Sequence, residues 1–178
     1  MSFYQTNKHL ARIRELEEAL AQPRIRVAAN GLVVRGAEAL LVEFDDVSGL
    51  HYNFPGGGVE VGETLEEALH REIEEETCLQ VSIDRLLLVV ESVGSRNTNL
   101  VNGRLRPWNE IRFFFLCTPS DGALARLPDQ PDSNETAVRW VSLEALPNVN
   151  VLPQVSKQLI ESLEHIAGVP LVVPNPHQ

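Results

Sequence analysis

Cysteine, positive charge and long apolar runs are all scarce in this sequence. Its 178 residues include 2 cysteines, Cys78 and Cys117, and neither belongs to a CxxC or Cys/His cluster. We interpret both as reduced thiols. No apolar run approaches the roughly 20 residues that a membrane-spanning helix needs, and the N-terminal segment lacks the apolar stretch of a signal peptide. We therefore expect a cytoplasmic protein that binds no membrane.

The charge balance restricts the class of partner. The sequence has 15 Lys and Arg residues against 25 Asp and Glu residues, which gives a formal net charge of -10. Such a protein repels a phosphate backbone unless basic patches or bound cations reverse the local field. Long nucleic acid is therefore disfavoured as a partner. The length, together with 43% hydrophobic residues, favours one globular domain with short extensions.

Hydrophobic periodicity predicts a helix at each end of the chain and β-strands between them. Residues 7 to 21 repeat apolar side chains at spacings of three and four, which predicts an amphipathic helix. Its apolar stripe needs a partner, so this helix is expected to mediate self-association or to cap the domain, and we favour a homodimer. Strands are predicted at 24–34, 39–44, 51–54, 85–92, 111–117 and 137–141, and the last helix at 155–166.

A helix predicted at residues 65 to 77 carries most of the chemically informative side chains. Thr64 and Glu67 have the spacing of a capping box, which marks its start. At about 100° per residue, Glu72, Glu75 and Glu76 continue the arc that is apolar in the first half of the helix. Taking grouped carboxylates out of water costs several kcal/mol each unless a positive charge compensates.

A divalent cation would provide that compensation. Oxygen ligands without histidine or cysteine suit Mg²⁺ or Mn²⁺, which usually link protein carboxylates to substrate phosphates. Two other interpretations are open at this point: the glutamates form a solvated helix face, or they pair internally with Arg71. The phase of the helix argues against the first. One guanidinium cannot neutralise three carboxylates, although it can orient one of them.

The stretch from Gly57 to Leu79, GGVEVGETLEEALHREIEEETCL, resembles the box of the Nudix hydrolases. That box has Gly, five residues, Glu, seven residues, Arg-Glu, an aliphatic residue, any residue, Glu-Glu, any residue, Gly and an aliphatic residue. Every specified position fits except Cys78, which stands where the family has glycine. This position ends the helix and readily adopts the left-handed αL conformation, which costs a cysteine about 1 kcal/mol. The similarity extends over roughly residues 24 to 148.

The resemblance implies an α/β/α sandwich around a mixed β-sheet. It also implies hydrolysis of a nucleoside diphosphate linked to another moiety, with Mg²⁺ or Mn²⁺ as the cofactor and a small-molecule nucleotide as the substrate. Three glutamates of the box would be catalytic and would hold the ions together with a backbone carbonyl, while two further residues would brace the loop and the helix. The implied metal ligands are Gly57, Glu72, Glu75 and Glu76, and the supporting residues are Glu63 and Arg71.

Two features outside the box complete the predicted site. Glu135 matches a place where some family members carry an additional acidic residue that acts as a base or metal ligand; the alternative is a plain loop glutamate. Residues 93 to 109 are polar and locally basic, and we predict a loop that sets substrate choice, the alternative being a solvated loop with its tryptophan in the core. Arginine can pair with phosphate bidentately and tryptophan can stack on a base. The candidate substrate-binding residues are Arg96, Arg104, Arg106 and Trp108.

The sequence thus predicts a Nudix hydrolase domain at residues 24–148. An amphipathic helix extension at 1–23 precedes it, and a C-terminal helix and tail at 149–178 are expected to pack on the same domain. The alternative function is a catalytically inactive Nudix-fold nucleotide-binding module or sensor. Such a module need not keep all four glutamates of the box, yet all four are present, so the hydrolase is preferred. Which nucleotide derivative is the substrate does not follow from the sequence.

Overall fold

The computed structural model describes residues 25–93, 98–101, 104–107, 109–164 and 171–172, with the segments 98–101, 104–107 and 171–172 described by their backbone alone. The amphipathic helix predicted at residues 7 to 21 lies outside these ranges, so its role and the homodimer stay predictions. Within the described ranges, no helix has the length and apolar character needed to cross a bilayer.

The described strands form an eight-stranded mixed sheet and a separate two-stranded sheet. They are β1 (Ile25–Arg35), β2 (Glu38–Asp46), β3 (Gly49–Asn53), β4 (Gly56–Gly58), β5 (Val81–Ser92), β6 (Thr98–Val101), β7 (Arg104–Pro107), β8 (Asn109–Pro119), β9 (Glu135–Ser142) and β10 (Leu171–Val172). The large sheet has the order β10-β5-β8-β1-β2-β3, with β4 paired to β1 and β9 paired to β2. β1 runs parallel to β8 and β5 runs parallel to β10, whereas the other pairs are antiparallel.

In the part of the chain that the structure describes, one helix packs on each face of the large sheet. Phe114 and Phe115 are neighbours in β8, and consecutive strand residues point to opposite faces. Phe115 lies in a core cluster with Leu69 and Ile73 of α1 (Leu65–Thr77). Phe114 lies in a second cluster with Leu159 of α2 (Ser156–Glu164). Burying such side chains stabilises the fold by roughly 1.5 to 3 kcal/mol each, and the predicted α/β/α sandwich around a mixed sheet is confirmed.

The start and the end of α1 have the predicted geometry. The Thr64 hydroxyl accepts a hydrogen bond from the Glu67 backbone N–H, and the Glu67 carboxylate accepts one from the Thr64 backbone N–H, which completes the capping box. At the other end, Cys78 has φ 56° and ψ 21°, the αL conformation, and its N–H donates to the Glu74 carbonyl at 2.9 Å. The cysteine therefore occupies the conformation for which glycine is the least strained residue.

The segment 93 to 109 differs from the predicted loop. It contains the antiparallel pair of β6 and β7, in which Val101 pairs with Arg104. The sequence holds a signal for this hairpin, because Asn-Gly between two short runs of strand-forming residues favours a two-residue turn, and here Asn102 and Gly103 separate Val101 from Arg104. The polar composition of the segment favoured a loop over two strands.

Candidate functional site

Strand β4 forms one wall of the candidate site and lies unusually close to β1. Gly56 has φ 135°, and a Cβ at this position would clash with the Ala29 carbonyl oxygen and the Asn30 Cα. The side chain of Asn30 is buried and its Nδ2 donates to the Phe54 carbonyl at 3.0 Å. Glycine is therefore required at Gly56 for both its backbone angle and its space.

Gly57 gives the Glu72 carboxylate room to lie against the backbone. A Cβ on Gly57 would lie 2.5 Å from both Cδ and Oε2 of Glu72, closer than real carbon atoms approach. The first glycine of the box thus leaves a space beside the backbone that the Glu72 carboxylate of α1 fills. The structure brings Gly57 and Glu72 together, as the predicted ligand set requires.

Arg71 is the centre of a hydrogen-bond network on the outer side of this space. Its Nε and Nη2 donate to the two carboxylate oxygens of Glu63 at 2.7 and 3.0 Å. Its Nη1 donates to Glu72 at 2.8 Å and to Glu75 at 3.1 Å, and Nη2 also donates to the Gly58 carbonyl at 3.1 Å. The hydrogen bonds from Arg71 hold the pKa of Glu63 down at about 2. The guanidinium therefore pairs with two of the three grouped glutamates, more than the single one expected from the sequence.

Glu76 has a different environment. Its Oε2 accepts a hydrogen bond from the Gly56 N–H at 2.8 Å, and within the described ranges no guanidinium pairs with it. Burial, followed by the nearby Glu135, Glu72 and Asp132 carboxylates, raises the pKa of Glu76 to about 8, although the Gly56 hydrogen bond acts in the opposite direction. Without a cation, the protonated form of the Glu76 carboxyl group is therefore favoured at neutral pH.

Glu135 approaches Glu76 from the far side of the site, at the start of β9. Its side chain is buried, and its Oε2 accepts a hydrogen bond from the Asp132 N–H at 3.1 Å. Its Oε1 is buried and has no hydrogen-bond partner among the described residues. Burial, and then the Asp132 and Glu72 carboxylates, raise the pKa of Glu135. A regular loop glutamate would be solvated, so the structure argues against that alternative.

These observations test whether the site fits a divalent ion. Among the described residues, no group of three His, Cys, Asp or Glu side chains is arranged to hold a metal ion as it stands, and both Glu72 and Glu75 accept hydrogen bonds from Arg71. The donors are nevertheless all oxygen atoms, and Glu135 Oε1 has no hydrogen-bond partner among the described residues. Neighbouring carboxylates raise the pKa of Glu76 and of Glu135, so a positive charge between them would be stabilising. The chemistry of the donor set therefore fits a hard divalent cation.

The structure describes the side chain of none of the four candidate substrate-binding residues. Arg96 and Trp108 lie outside the described residues, and Arg104 and Arg106 lie on β7, for which the backbone alone is described. Their role stays a prediction.

A second charged cluster, on β1 and β8, was not among the residues predicted from the sequence. The Glu110 carboxylate is buried, accepts a hydrogen bond from Arg112 Nε at 2.6 Å, and lies 3.4 Å from Arg26 Nη1. The signal was available, because Glu110 and Arg112 alternate with an apolar residue at the start of a strand and must share one face. The partner on β1 was not predictable, since it depends on the register between two strands far apart in sequence.

Comparison with known proteins agrees with the fold and with the box. A protein-family model described as NUDIX domain matches residues 24–163. A MutT-like protein of Streptomyces ambofaciens is 31% identical over 71% of this chain and 70% of its own length. A protein of Vibrio atlanticus named NAD-capped RNA hydrolase NudC is 31% identical over 62% of this chain, and the match spans 35% of that protein.

Among solved structures, a NUDIX hydrolase from Nitrosomonas europaea superposes with a TM-score of 0.62 over 87% of this chain and 100% of its own, at 21% identity. At that identity the likeness supports the fold and does not extend to the substrate.

Proposed function

The chain belongs to the Nudix hydrolase family, and on that premise we propose that it hydrolyses the pyrophosphate bond of a nucleoside diphosphate linked to another moiety, with Mg²⁺ or Mn²⁺. The Vibrio relative is named for hydrolysis of NAD-capped RNA, and NAD is a nucleotide derivative of this kind. That name supports the class of substrate, while the particular nucleotide stays open.

The observation that carries the proposal is a pair of carboxylates, Glu76 and Glu135, for which the described residues supply no cation. Burial, and then the nearby Glu135 carboxylate, raise the pKa of Glu76 to about 8. One oxygen of Glu135 has no hydrogen-bond partner among the described residues. A purely structural cluster would be neutralised by arginine, as happens at Glu63. Leaving two buried carboxylates unpaired is costly, and it is understandable if a divalent ion completes the site.

Each residue then has a distinct role. Glu72, Glu75 and Glu76 would hold the metal with the Gly57 carbonyl, and the chemistry that such an ion would supply is polarisation of the pyrophosphate and a lower pKa for a bound water. Arg71 fixes the orientation of Glu72 and Glu75 through its Nη1 hydrogen bonds, and Glu63 fixes Arg71. These supporting contacts set the position of the ligands without contacting substrate.

Glu135 would accept the proton of the attacking water. A general base works best when its pKa lies near the working pH, and burial moves the pKa of Glu135 upwards from its ordinary value. The free Oε1 is the atom available for that proton. This role leaves Oε2 to keep its hydrogen bond with the Asp132 N–H.

The alternative function is a catalytically inactive nucleotide-binding module or sensor. One observation favours it: Glu72 and Glu75 are satisfied by Arg71, so two of the three helix glutamates need no ion to be stable. A module of this kind would bind a nucleotide and leave it intact.

A substrate screen separates the two functions. Purified protein is incubated with nucleoside triphosphates, nucleotide sugars, dinucleoside polyphosphates, NAD and ADP-ribose, in Mg²⁺, in Mn²⁺ and with chelator, and nucleotide and phosphate release are measured. We expect turnover of at least one compound that chelator abolishes. Turnover that survives chelation contradicts the metal requirement, and binding of a nucleotide without release of any product supports the sensor.

A further inference from the structure

We propose that Arg26 and Arg112, held by the buried Glu110, form a subsite for an additional phosphate of the substrate, beyond the diphosphate at the acidic site. The proposal rests on the proposed function for its substrate class. It assigns recognition of that phosphate to residues that lie outside the box and outside the segment 93 to 109.

The cluster carries more positive than negative charge. Glu110 is 3% exposed, and a buried carboxylate is stable where guanidinium groups compensate it. Arg112 supplies the short bond to Oε2, at 2.6 Å. Oε1 makes no hydrogen bond among the described residues and has the Arg26 Nη1 as an ion-pair partner at 3.4 Å. One carboxylate thus faces two guanidinium groups, and one positive charge is left in excess.

Strand register confines this charge to one face of the sheet. In the parallel pair of β1 and β8, Arg26 lies opposite Glu110 and Ala28 lies opposite Arg112, so all four share a face. On the other side of β8, strand β5 places Ser92 opposite Glu110 and Val90 beside Arg112. Among the described residues, β5 therefore adds no opposing charge to this face.

Arg26 is the member that is free to bind a ligand. Its side chain is 47% exposed, whereas that of Arg112 is 20% exposed. Within the described ranges its one ion pair is the long contact with Glu110. A guanidinium presents five N–H donors in a planar fork that matches phosphate oxygens, so most of the donors of Arg26 remain available.

Strand β4 connects the cluster to the acidic site. A Cβ on Gly58 would lie 3.5 Å from Nε and Nη2 of Arg26, whereas a Cβ on Gly57 would lie 2.5 Å from the Glu72 carboxylate. The two groups therefore border opposite faces of β4, one residue or about 3.3 Å apart along the strand. In the described structure β4 pairs with β1 alone among the strands, and on its other edge the Gly56 N–H donates to Glu76 and the Gly58 carbonyl accepts from Arg71. A polyphosphate lying across that edge would place one phosphate at the acidic site and the next at Arg26.

Binding of two inorganic probes tests the subsite directly. Isothermal titration calorimetry in Mg²⁺ compares tripolyphosphate with pyrophosphate, and orthophosphate release is assayed in the same samples to confirm that the probe is intact. We expect Arg26→Ala to weaken tripolyphosphate binding at least tenfold and to change pyrophosphate binding less than twofold. Arg26→Lys should retain part of the preference. Arg26→Ala leaves the short pair of Glu110 with Arg112 in place, and thermal unfolding verifies its fold.

Arg35→Ala is the matched control, because Arg35 lies on the same strand, has a similarly exposed side chain (46%) and makes a comparably long ion pair, with Glu38 at 3.8 Å. It should alter neither probe. Equal loss of both probes in Arg26→Ala, or loss of neither, overturns the subsite. The proposed function fails separately, if the wild-type protein hydrolyses no nucleotide while the preference for tripolyphosphate still depends on Arg26.

Discussion

The glutamates of the box lie in two opposite electrostatic environments, one beside Arg71 and the other around Glu76. Glu72 and Glu75 share the guanidinium of Arg71, which also binds both oxygens of Glu63. Glu76 has a backbone N–H as its donor and carboxylates as its charged neighbours. The pKa of Glu63 is held at about 2 on the first side, and that of Glu76 is raised to about 8 on the second.

The difference indicates a division of labour within the box. The Arg71 side is stabilised by the protein's own charge and keeps its geometry without a ligand. The Glu76 side needs external positive charge, and Glu135 adds to that need from a distant strand. A site built in this way has a rigid half that positions ligands and an unsatisfied half that attracts the cation.

The largest expected effect comes from neutralising the unsatisfied side. Glu76→Gln preserves the shape of the side chain and can still accept from the Gly56 N–H, but it removes a charge that, under the proposed function, would act on the metal. We expect kcat to fall about 100-fold or more, the scale of losing a charged group that acts in the transition state. Glu74→Gln, an exposed glutamate on the same helix, should keep kcat within twofold. Equal losses in both variants would mean that helix charge in general, not Glu76, is required.

The next effect concerns stability and comes from the other side. Arg71→Met keeps an apolar stem but leaves Glu63, Glu72 and Glu75 without their shared cation. In chelator, we expect the free energy of unfolding to fall by about 1 to 3 kcal/mol, because partly buried charge-assisted hydrogen bonds are lost. Urea unfolding measures the change. Arg126→Met, which removes an exposed pair with Asp129 at 3.4 Å, should change it by less than about 0.5 kcal/mol. A similar loss in both variants contradicts the special position of Arg71.

The two sides should also give stability profiles of opposite slope in metal-free protein. Glu76 has a folded-state pKa of about 8 against an ordinary value of 4.5, so its protonated form is favoured by folding. Its contribution is complete below the lower value and is lost as pH rises towards 8. Glu63, with a folded-state pKa of about 2, contributes above 4.5 and loses its contribution as pH falls towards 2.

Unfolding in chelator between pH 5.5 and 8.5 measures the Glu76 side. We expect wild-type stability to fall by about 1 to 3 kcal/mol over this window, because each pKa unit represents 1.36 kcal/mol and roughly 2.3 units of the difference between the folded and unfolded pKa of Glu76 are lost within it. Glu76→Gln should flatten the profile, and it should be at least as stable as wild type at the alkaline end. A wild-type profile that rises with pH over this window would show that the carboxylate is stabilised by a positive group instead.

The sequence predicted the elements of this site better than their electrostatic states. The capping box and the αL residue follow from local chemistry at Thr64 and Cys78, and α1 has the predicted bounds. The sharing of Arg71 depends on how the loop bearing Glu63 folds back over the helix, which no spacing rule specifies. The burial of Glu135 depends on the pairing of β9 with β2, and the Arg26 cluster depends on the pairing of β1 with β8. The pairing of strands that are distant in sequence thus determines the electrostatic environment of these residues, which local sequence patterns do not specify.

The smallest expected effect tests the end of α1 that carries Glu76, two residues before the αL residue Cys78 at φ 56°. Cys78→Gly removes the Cβ strain of that conformation and should raise the free energy of unfolding by up to about 1 kcal/mol, less whatever packing the half-buried thiol contributes. Gly36→Ala is the reverse change at φ 62°, where a Cβ meets nothing within 4 Å, so it should lose a similar amount through strain alone. Because neither substitution alters a carboxylate, kcat should stay within twofold in both. A destabilised Cys78→Gly would show that the thiol packing outweighs the strain, and a change in kcat would show that the position of Glu76 depends on how the helix ends.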